Sequence, residues 1–103
     1  MDKGNECCRY KATPRDEAKE KQLVARLNRM TGQLQGIKRM LEDNRYCGDI
    51  LIQVAAVESA LQNFGYIILK DHLETCVVEE IDSGNTEVME EVIDLIRKLK
   101  LRQ

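Results

Sequence analysis

The chain has 103 residues, of which 43% are hydrophobic, 33% are charged and only 4% are aromatic, with one proline and six glycines. Chains of this length rarely form more than one domain, and this composition suits amphipathic helices while leaving little material for a β-sandwich or β-barrel. The formal net charge of −2 hides an uneven distribution, since residues 1–45 carry 11 basic and 7 acidic side chains whereas residues 46–103 carry 5 and 11.

Residues 1–12 are polar and aperiodic, so we predict a flexible tail there and a single domain over residues 13–103. The first residues contain no apolar run typical of a secretory signal, and no window approaches the ~18–20 apolar residues of a membrane span. We therefore expect a cytoplasmic protein whose four cysteines are free thiols or metal ligands rather than disulfides. Cys7 and Cys8 lie in the tail, either as extra thiol ligands or as residues without a role.

The first predicted helix begins at Thr13-Pro14 and ends near Glu42. Threonine can cap free backbone N–H groups, and proline fits the first turn of a helix. An apolar seam with heptad-like spacing follows, formed by Leu23, Leu27, Met30, Leu34, Ile37 and Leu41.

A stripe of basic and amide side chains lies on the same helix, opposite the apolar seam. Its members are Lys19, Gln22, Arg26, Arg29 and Gln33. Cationic side chains release counterions from DNA and amides orient the contact, so the stripe is a candidate DNA surface that reads shape rather than base edges. The alternative is an ordinary solvated helix face.

The second predicted helix is unusually long and runs from Tyr46 to about Asp82, with apolar residues at helical spacing and no proline. The segment DSGN at 82–85 predicts a stop and a restart, with Asn85 or Thr86 as the next cap. A short third helix then has the apolar stripe Val88, Val92, Leu95 and Leu99.

Cys47, His72 and Cys76 are metal-capable side chains on the long helix, and His72 is the only histidine of the chain. Positions 47 and 76 are 29 residues apart, which is about 43 Å of helix, whereas two sulfurs on one metal lie within about 4 Å. Two helices packed antiparallel about a two-fold axis near residue 61 or 62 bring Cys47 of one chain to Cys76 of the other, and His72 joins them at i, i+4 spacing. The spacing therefore predicts a dimer with two shared sites.

Two thiolates and one imidazole suit Cu(I), whereas Zn(II) usually takes a fourth ligand and nickel or cobalt prefers more nitrogen and oxygen. Tyr46 could donate a hydrogen bond near this site, and Glu91 could orient the histidine ring. The alternatives are structural: cysteines often only fill space, and a lone histidine is often a satisfied core residue. Tyr46 would then pack in the core, and Glu91 would be an exposed helix charge.

The segment RLNRMTGQLQGIKRMLEDNRYCGDILIQVAAVESAL, followed by DHLETC, resembles the copper-sensitive operon repressors, the CsoR-type branch of a family of helical repressors. The matching features are R-L-x-R-x-x-G-Q-x-x-G-I in helix one, the Y-C pair that opens helix two, and H-x-x-x-C near its end. The likeness covers about residues 20–96. It implies an all-α, three-helix protomer with a long central helix, an antiparallel four-helix-bundle dimer and a dimer-of-dimers homotetramer.

The resemblance also implies that Cu(I) is held by Cys47 of one chain with His72 and Cys76 of the other, next to Tyr46 and Glu91. It implies a face that binds operator DNA and is formed by Arg26, Arg29, Gln33, Lys38 and Arg39. We expect a repressor that leaves the operator of copper-homeostasis genes when copper binds.

The sequence also bears on three other functions: a thiol-based sensor, a copper buffer and an enzyme. A thiol-based sensor of the same fold would link Cys47 and Cys76 by an interchain disulfide or persulfide bridge. A cytosolic copper buffer would have no role on DNA, but residues 19–39 hold six basic side chains against one acidic side chain, which speaks against it. An enzyme is not expected, because one histidine without a nucleophile–base pair or a phosphate loop leaves little for catalysis.

Overall fold

The computed structural model describes residues 15–99, and these residues are helical apart from short connections. Helix α1 spans Glu17–Glu42, α2 spans Cys47–His72, a π-helical turn spans Leu73–Val77, α3 spans Val78–Asp82 and α4 spans Val88–Leu99. The π turn and α3 continue α2 without a break, so the long second helix predicted from the sequence is confirmed. Residues 15–99 contain no strand and no helix that is long and apolar enough to cross a membrane.

Helix α1 begins at Glu17, with Asp16 as the preceding cap residue. The Asp16 side chain makes no capping hydrogen bond within the described residues, so Glu17 and Glu20 in the first turn stabilise this end through the helix dipole. The sequence predicted a start at Thr13-Pro14, which lie outside the described residues, but Arg15 and Asp16 are not helical, so the helix begins later than predicted.

Two helix ends use the same local geometry. After α1, Asn44 adopts a left-handed backbone with φ 54°, and the Arg45 N–H donates to the Met40 carbonyl at 2.9 Å. After α3, Gly84 has φ 96°, and the Asn85 N–H donates to the Glu80 carbonyl at 2.8 Å. Both are Schellman motifs, in which a residue with left-handed backbone lets the following N–H groups donate hydrogen bonds to the last carbonyls of the helix. They explain why EDNR and DSGN stop the helices.

Asn85 contacts both sides of this connection. Its Oδ1 accepts a hydrogen bond from the Glu87 N–H at 3.1 Å, and its Nδ2 donates to Glu80 Oε1 at 2.8 Å. The sequence predicted Asn85 or Thr86 as the next cap; Asn85 makes the side-chain hydrogen bond, but it lies three residues before α4 begins at Val88.

Residues 65–99, together with Arg15, form one compact unit. Its core is the valine cluster Val77, Val88 and Val92, each less than 5% exposed. Leu99 Cδ2 lies 3.0 Å from the place where a Cβ on Gly65 would be, so the missing side chain lets the end of α4 approach α2 closely. Through these valines, α4 packs against the π turn that precedes α3.

Residues 16–64 form the second unit, which contains α1 and most of α2. Of the apolar seam on α1 only Met30 is buried, at 6% exposed, while Leu34 and Leu41 are 56% and 61% exposed. On α2, Leu51 and Leu61 are also exposed. Apolar residues at heptad-like spacing that stay exposed in one chain are typical of a surface that packs against another helix.

The valine cluster allows a stability prediction with a matched control. We expect Val77→Ala to lower the free energy of unfolding by about 2 kcal/mol, because the buried side chain leaves a cavity when it is truncated. Val78 has the same side chain at the next position but is 48% exposed, and Val78→Ala is expected to cost less than about 1 kcal/mol. Urea denaturation followed by circular dichroism measures both, and equal losses would contradict the assignment of the core.

Candidate metal centre and nucleic-acid interface

The three candidate metal ligands lie at the two ends of helix α2. Cys47 is its first residue and is exposed, whereas His72 is its last residue and is half-buried. Cys76 is buried in the π turn that follows. Cys47 and Cys76 are free thiols, while Cys7 and Cys8 lie outside the described residues.

The imidazole of His72 has an unused nitrogen. Its Nε2 atom is buried and has no hydrogen-bond partner within residues 15–99. Most buried polar atoms are paired, because an unpaired one loses its hydration without compensation. A buried imidazole nitrogen that is left free is suited to bind a metal ion. The described chain thus leaves this nitrogen without a partner, and the role of His72 as a metal ligand stays a prediction.

The π turn lies at His72 and Cys76, two of the candidate ligands. His72 immediately precedes it and Cys76 lies inside it, so the backbone between the two residues is wider than in an α-helix. Such turns inside α-helices are rare and are frequently found at functional sites. The sequence predicted a regular helix here, and its apolar spacing carried no sign of the wider turn.

The candidate ligands are not grouped within one chain. Across residues 15–99, no three histidine, cysteine or acidic side chains are placed to hold a metal ion together. His72 and Cys76 belong to the unit of residues 65–99, and Cys47 belongs to the unit of residues 16–64. A common site for all three, shared between two chains, stays a prediction.

Tyr46 and Glu91, the predicted neighbours of the metal, lie in different surroundings. Tyr46 is 74% exposed and does not pack in the core of the single chain. Its ring covers the backbone of Gly48, where an added Cβ would lie 3.1 Å from Cδ2 and 3.2 Å from Cζ. Glu91 is half-buried on α4, and the described part of the chain offers its carboxylate no ion pair. Both side chains are thus available for a further contact.

The predicted DNA face lies along α1 and carries unpaired charge. Arg29, Lys38 and Arg39 are exposed, and Arg26 is half-buried. None of the six lysines and arginines of α1 forms an ion pair with any residue between 15 and 99. In contrast, the three arginines between residues 15 and 99 that lie outside this helix pair with aspartates: Arg15 with Asp71 at 3.6 Å, Arg45 with Asp49 at 3.6 Å and Arg97 with Asp94 at 3.9 Å.

Gln33 differs from the other residues of the predicted face. It is half-buried, and its Oε1 atom has no hydrogen-bond partner within the described chain. A phosphate oxygen would accept a hydrogen bond from the amide NH2 and not from Oε1, so the buried oxygen does not decide whether Gln33 contacts DNA.

A second apolar stripe on α4 was missed by the sequence reasoning. Met89, Ile93 and Ile96 lie at helical spacing beside the buried valines and are 40–47% exposed. Their i, i+4, i+7 spacing was the signal that could have revealed them. The described chain covers the valine stripe of α4 and leaves this second stripe exposed.

Comparisons with known proteins agree on one family. The profile of a family described as "Metal-sensitive transcriptional repressor" matches residues 19–98. The chain is 41% identical over 100 residues to the copper-sensing transcriptional repressor CsoR of Bacillus subtilis (strain 168), which is 95% of this chain and 96% of that protein.

Two solved structures share the fold. The copper-sensing repressor CsoR with Cu(I) from Geobacillus thermodenitrificans NG80-2 has a TM-score of 0.81 and 37% identity, covering 86% of this chain and 94% of that one. The nickel-responsive transcriptional regulator InrS has a TM-score of 0.68 and 33% identity, covering 87% and 99%. The helical architecture is therefore one that metal-responsive regulators use.

Proposed function

The chain belongs to the metal-sensitive transcriptional repressor family, and from this premise we propose that it is a Cu(I)-responsive repressor. The metal-free protein binds operator DNA of copper-homeostasis genes in the cytoplasm, and Cu(I) releases it. The observation that carries the proposal is the free, buried Nε2 of His72, one turn before the buried thiol of Cys76.

The donor set fits Cu(I). Two cysteine sulfurs and one imidazole nitrogen match a soft ion of low coordination number, and the only histidine of the chain leaves no nitrogen-rich set for nickel. The similar proteins named as copper-sensing, from Bacillus and Geobacillus, support this choice. Cys47 of one chain and His72 and Cys76 of another would hold the ion, which would link the two chains. In this proposal Tyr46 donates a hydrogen bond near the site, and the carboxylate of Glu91 orients the His72 ring.

The exposed apolar surfaces support an oligomer. In an antiparallel dimer, a second chain covers the apolar residues of α1 and α2 that one chain leaves exposed, such as Leu34 and Leu61. The second stripe of α4, formed by Met89, Ile93 and Ile96, offers a separate surface for a dimer of dimers. This arrangement also brings the two ends of α2 from different chains together, as the shared site requires.

The unpaired cations of α1 support DNA binding. Lysines and arginines without internal acidic partners are free to displace counterions from phosphates. For copper to release the operator, it must bind the DNA-free form more tightly by about 1–3 kcal/mol. The family of transcriptional repressors to which the chain belongs supports a regulator rather than an enzyme.

Subunit mixing tests whether the site is shared between chains. The variants Cys47→Ala and Cys76→Ala are both made in a Cys7→Ser/Cys8→Ser background. A dimer of Cys47→Ala chains, or of Cys76→Ala chains, has no complete shared site. Refolding them together at equal amounts forms heterodimers in half of the molecules, each with one intact site. We therefore expect about a quarter of the background protein's Cu(I) sites to return.

The count of Cu(I) bound in competition with a chromophoric chelator measures this recovery. Each variant refolded alone is the control and should bind no Cu(I) with high affinity. No recovery on mixing would overturn the shared site, because sites formed within one chain cannot complement each other.

A further inference from the structure

The hydroxyl of Thr75 makes a defined contact inside the π turn. Its Oγ1 donates to the backbone carbonyl of Asp71 at 2.8 Å and lies 3.9 Å from Cys76 Sγ. A hydroxyl has one proton, so the short contact to the carbonyl takes it and the sulfur is left as a neighbour. One hydrogen bond thus spans the segment that contains His72 and ends beside Cys76.

The acceptor of this hydrogen bond is itself held in place. The carboxylate of Asp71 lies 3.6 Å from the Nε atom of Arg15, and the Asp71 side chain is only 17% exposed. Asp71 is therefore fixed through its side chain while its carbonyl receives the Thr75 hydroxyl. The hydroxyl connects the wide turn to a residue that has limited freedom to move.

A second threonine shows what is particular to Thr75. On α1, the Thr31 hydroxyl donates to the Leu27 carbonyl at 3.0 Å, with the same i−4 spacing, and the helix there stays regular. Hydroxyl bonds of this type bend helices slightly and compete with the backbone pattern. Thr31 is exposed, so water replaces its bond easily, whereas Thr75 is part-buried. The bond therefore has a larger effect in the π turn than on α1.

We propose that Thr75 is a positioning residue whose hydroxyl holds the π turn and thereby sets the position of Cys76 relative to His72. This role rests on the proposed function, because the two residues are the ligands that one chain contributes to Cu(I). Thr75 does not bind the metal. It keeps the turn in the shape that the pair needs before the metal arrives, which reduces the cost of ordering the ligands.

Three variants test this role. Thr75→Val keeps the shape of the side chain but removes the hydroxyl, Thr75→Ser restores a hydroxyl, and Thr31→Val removes the same type of bond from α1. We expect Thr75→Val to bind Cu(I) about 10- to 100-fold more weakly, as for other residues that hold a ligand in place. Thr75→Ser and Thr31→Val are expected to stay near the wild-type affinity, measured by competition with a chromophoric Cu(I) chelator.

A measurement without metal separates this role from the proposed function. In the metal-free protein, hydrogen–deuterium exchange of the amides at 73–77 should be roughly fivefold faster in Thr75→Val, the effect of one hydrogen bond. It should be unchanged in Thr75→Ser and Thr31→Val. If the wild type fails to respond to Cu(I) while exchange behaves as stated, the copper function fails and the role of Thr75 in the turn stands.

Two results would overturn the proposal for Thr75. One is exchange at 73–77 that is the same in Thr75→Val and the wild type. The other is wild-type Cu(I) affinity in Thr75→Val. If Thr75→Val does not fold, Thr75→Ser decides, because a serine hydroxyl that fails to preserve either quantity also contradicts the role.

Discussion

Replacing His72 by alanine is expected to weaken Cu(I) binding by more than about 100-fold, beyond the loss caused by residues that only support a ligand. The same change should leave the metal-free protein bound to its operator. Nε2 of His72 has no hydrogen-bond partner within residues 15–99, so its removal breaks no hydrogen bond of the described chain. The variant is therefore expected to fold and repress but to ignore copper.

Fluorescence anisotropy with labelled operator DNA, with and without Cu(I) under anaerobic conditions, measures both properties. Cys7→Ser/Cys8→Ser is the control that removes thiols of the tail, and it should respond to copper like the wild type. Cys47 is exposed, as a thiol-based sensor would need, whereas Cys76 is buried. A His72→Ala protein that copper still releases at the wild-type midpoint would favour that thiol function over the Cu(I) site.

The largest effect on DNA binding is expected from the double variant Arg26→Ala/Arg29→Ala. Neither arginine has an acidic partner among the described residues, so each can contact a phosphate. The logarithm of the binding constant K falls as the logarithm of the salt concentration rises, and each lost phosphate contact makes this fall less steep by about 0.9. For two contacts this is about 60-fold weaker binding at 0.1 M salt, and more if several chains of an oligomer contact the operator.

A salt titration of operator binding measures the slope, and a charge-matched variant controls for the general field of the protein. Arg97→Ala/Lys98→Ala removes the same charge from α4, where Arg97 already pairs with Asp94. The control should keep the wild-type slope. Equal losses in the two double variants would show that net charge, and not the face of α1, determines binding to DNA.

The helices and their ends could be predicted from the sequence because they depend on neighbouring residues. The end of helix one near Glu42 and the stop at residues 82–85 are found in the structure, whereas helix one begins at Glu17 and not at Thr13-Pro14. Asn44 and Gly84 adopt the left-handed geometry that a helix end needs, and each does so through hydrogen bonds to residues within one turn. The identity of the metal-capable residues likewise follows from the sequence, since one histidine and few cysteines leave a small set.

Only the tertiary structure decided which of these residues are buried and which are left without a partner. Met30 is buried while Leu34 on the same seam is exposed, although both fit the apolar spacing equally well. The π turn and the free Nε2 of His72 have no signature in the spacing. Burial and hydrogen bonding depend on groups that the fold brings close from distant positions, whereas periodicity reports only the face of a helix. The sequence therefore predicted the helices and the candidate donor atoms, and the packing determined the π turn and which of these atoms are buried without a partner in the described chain.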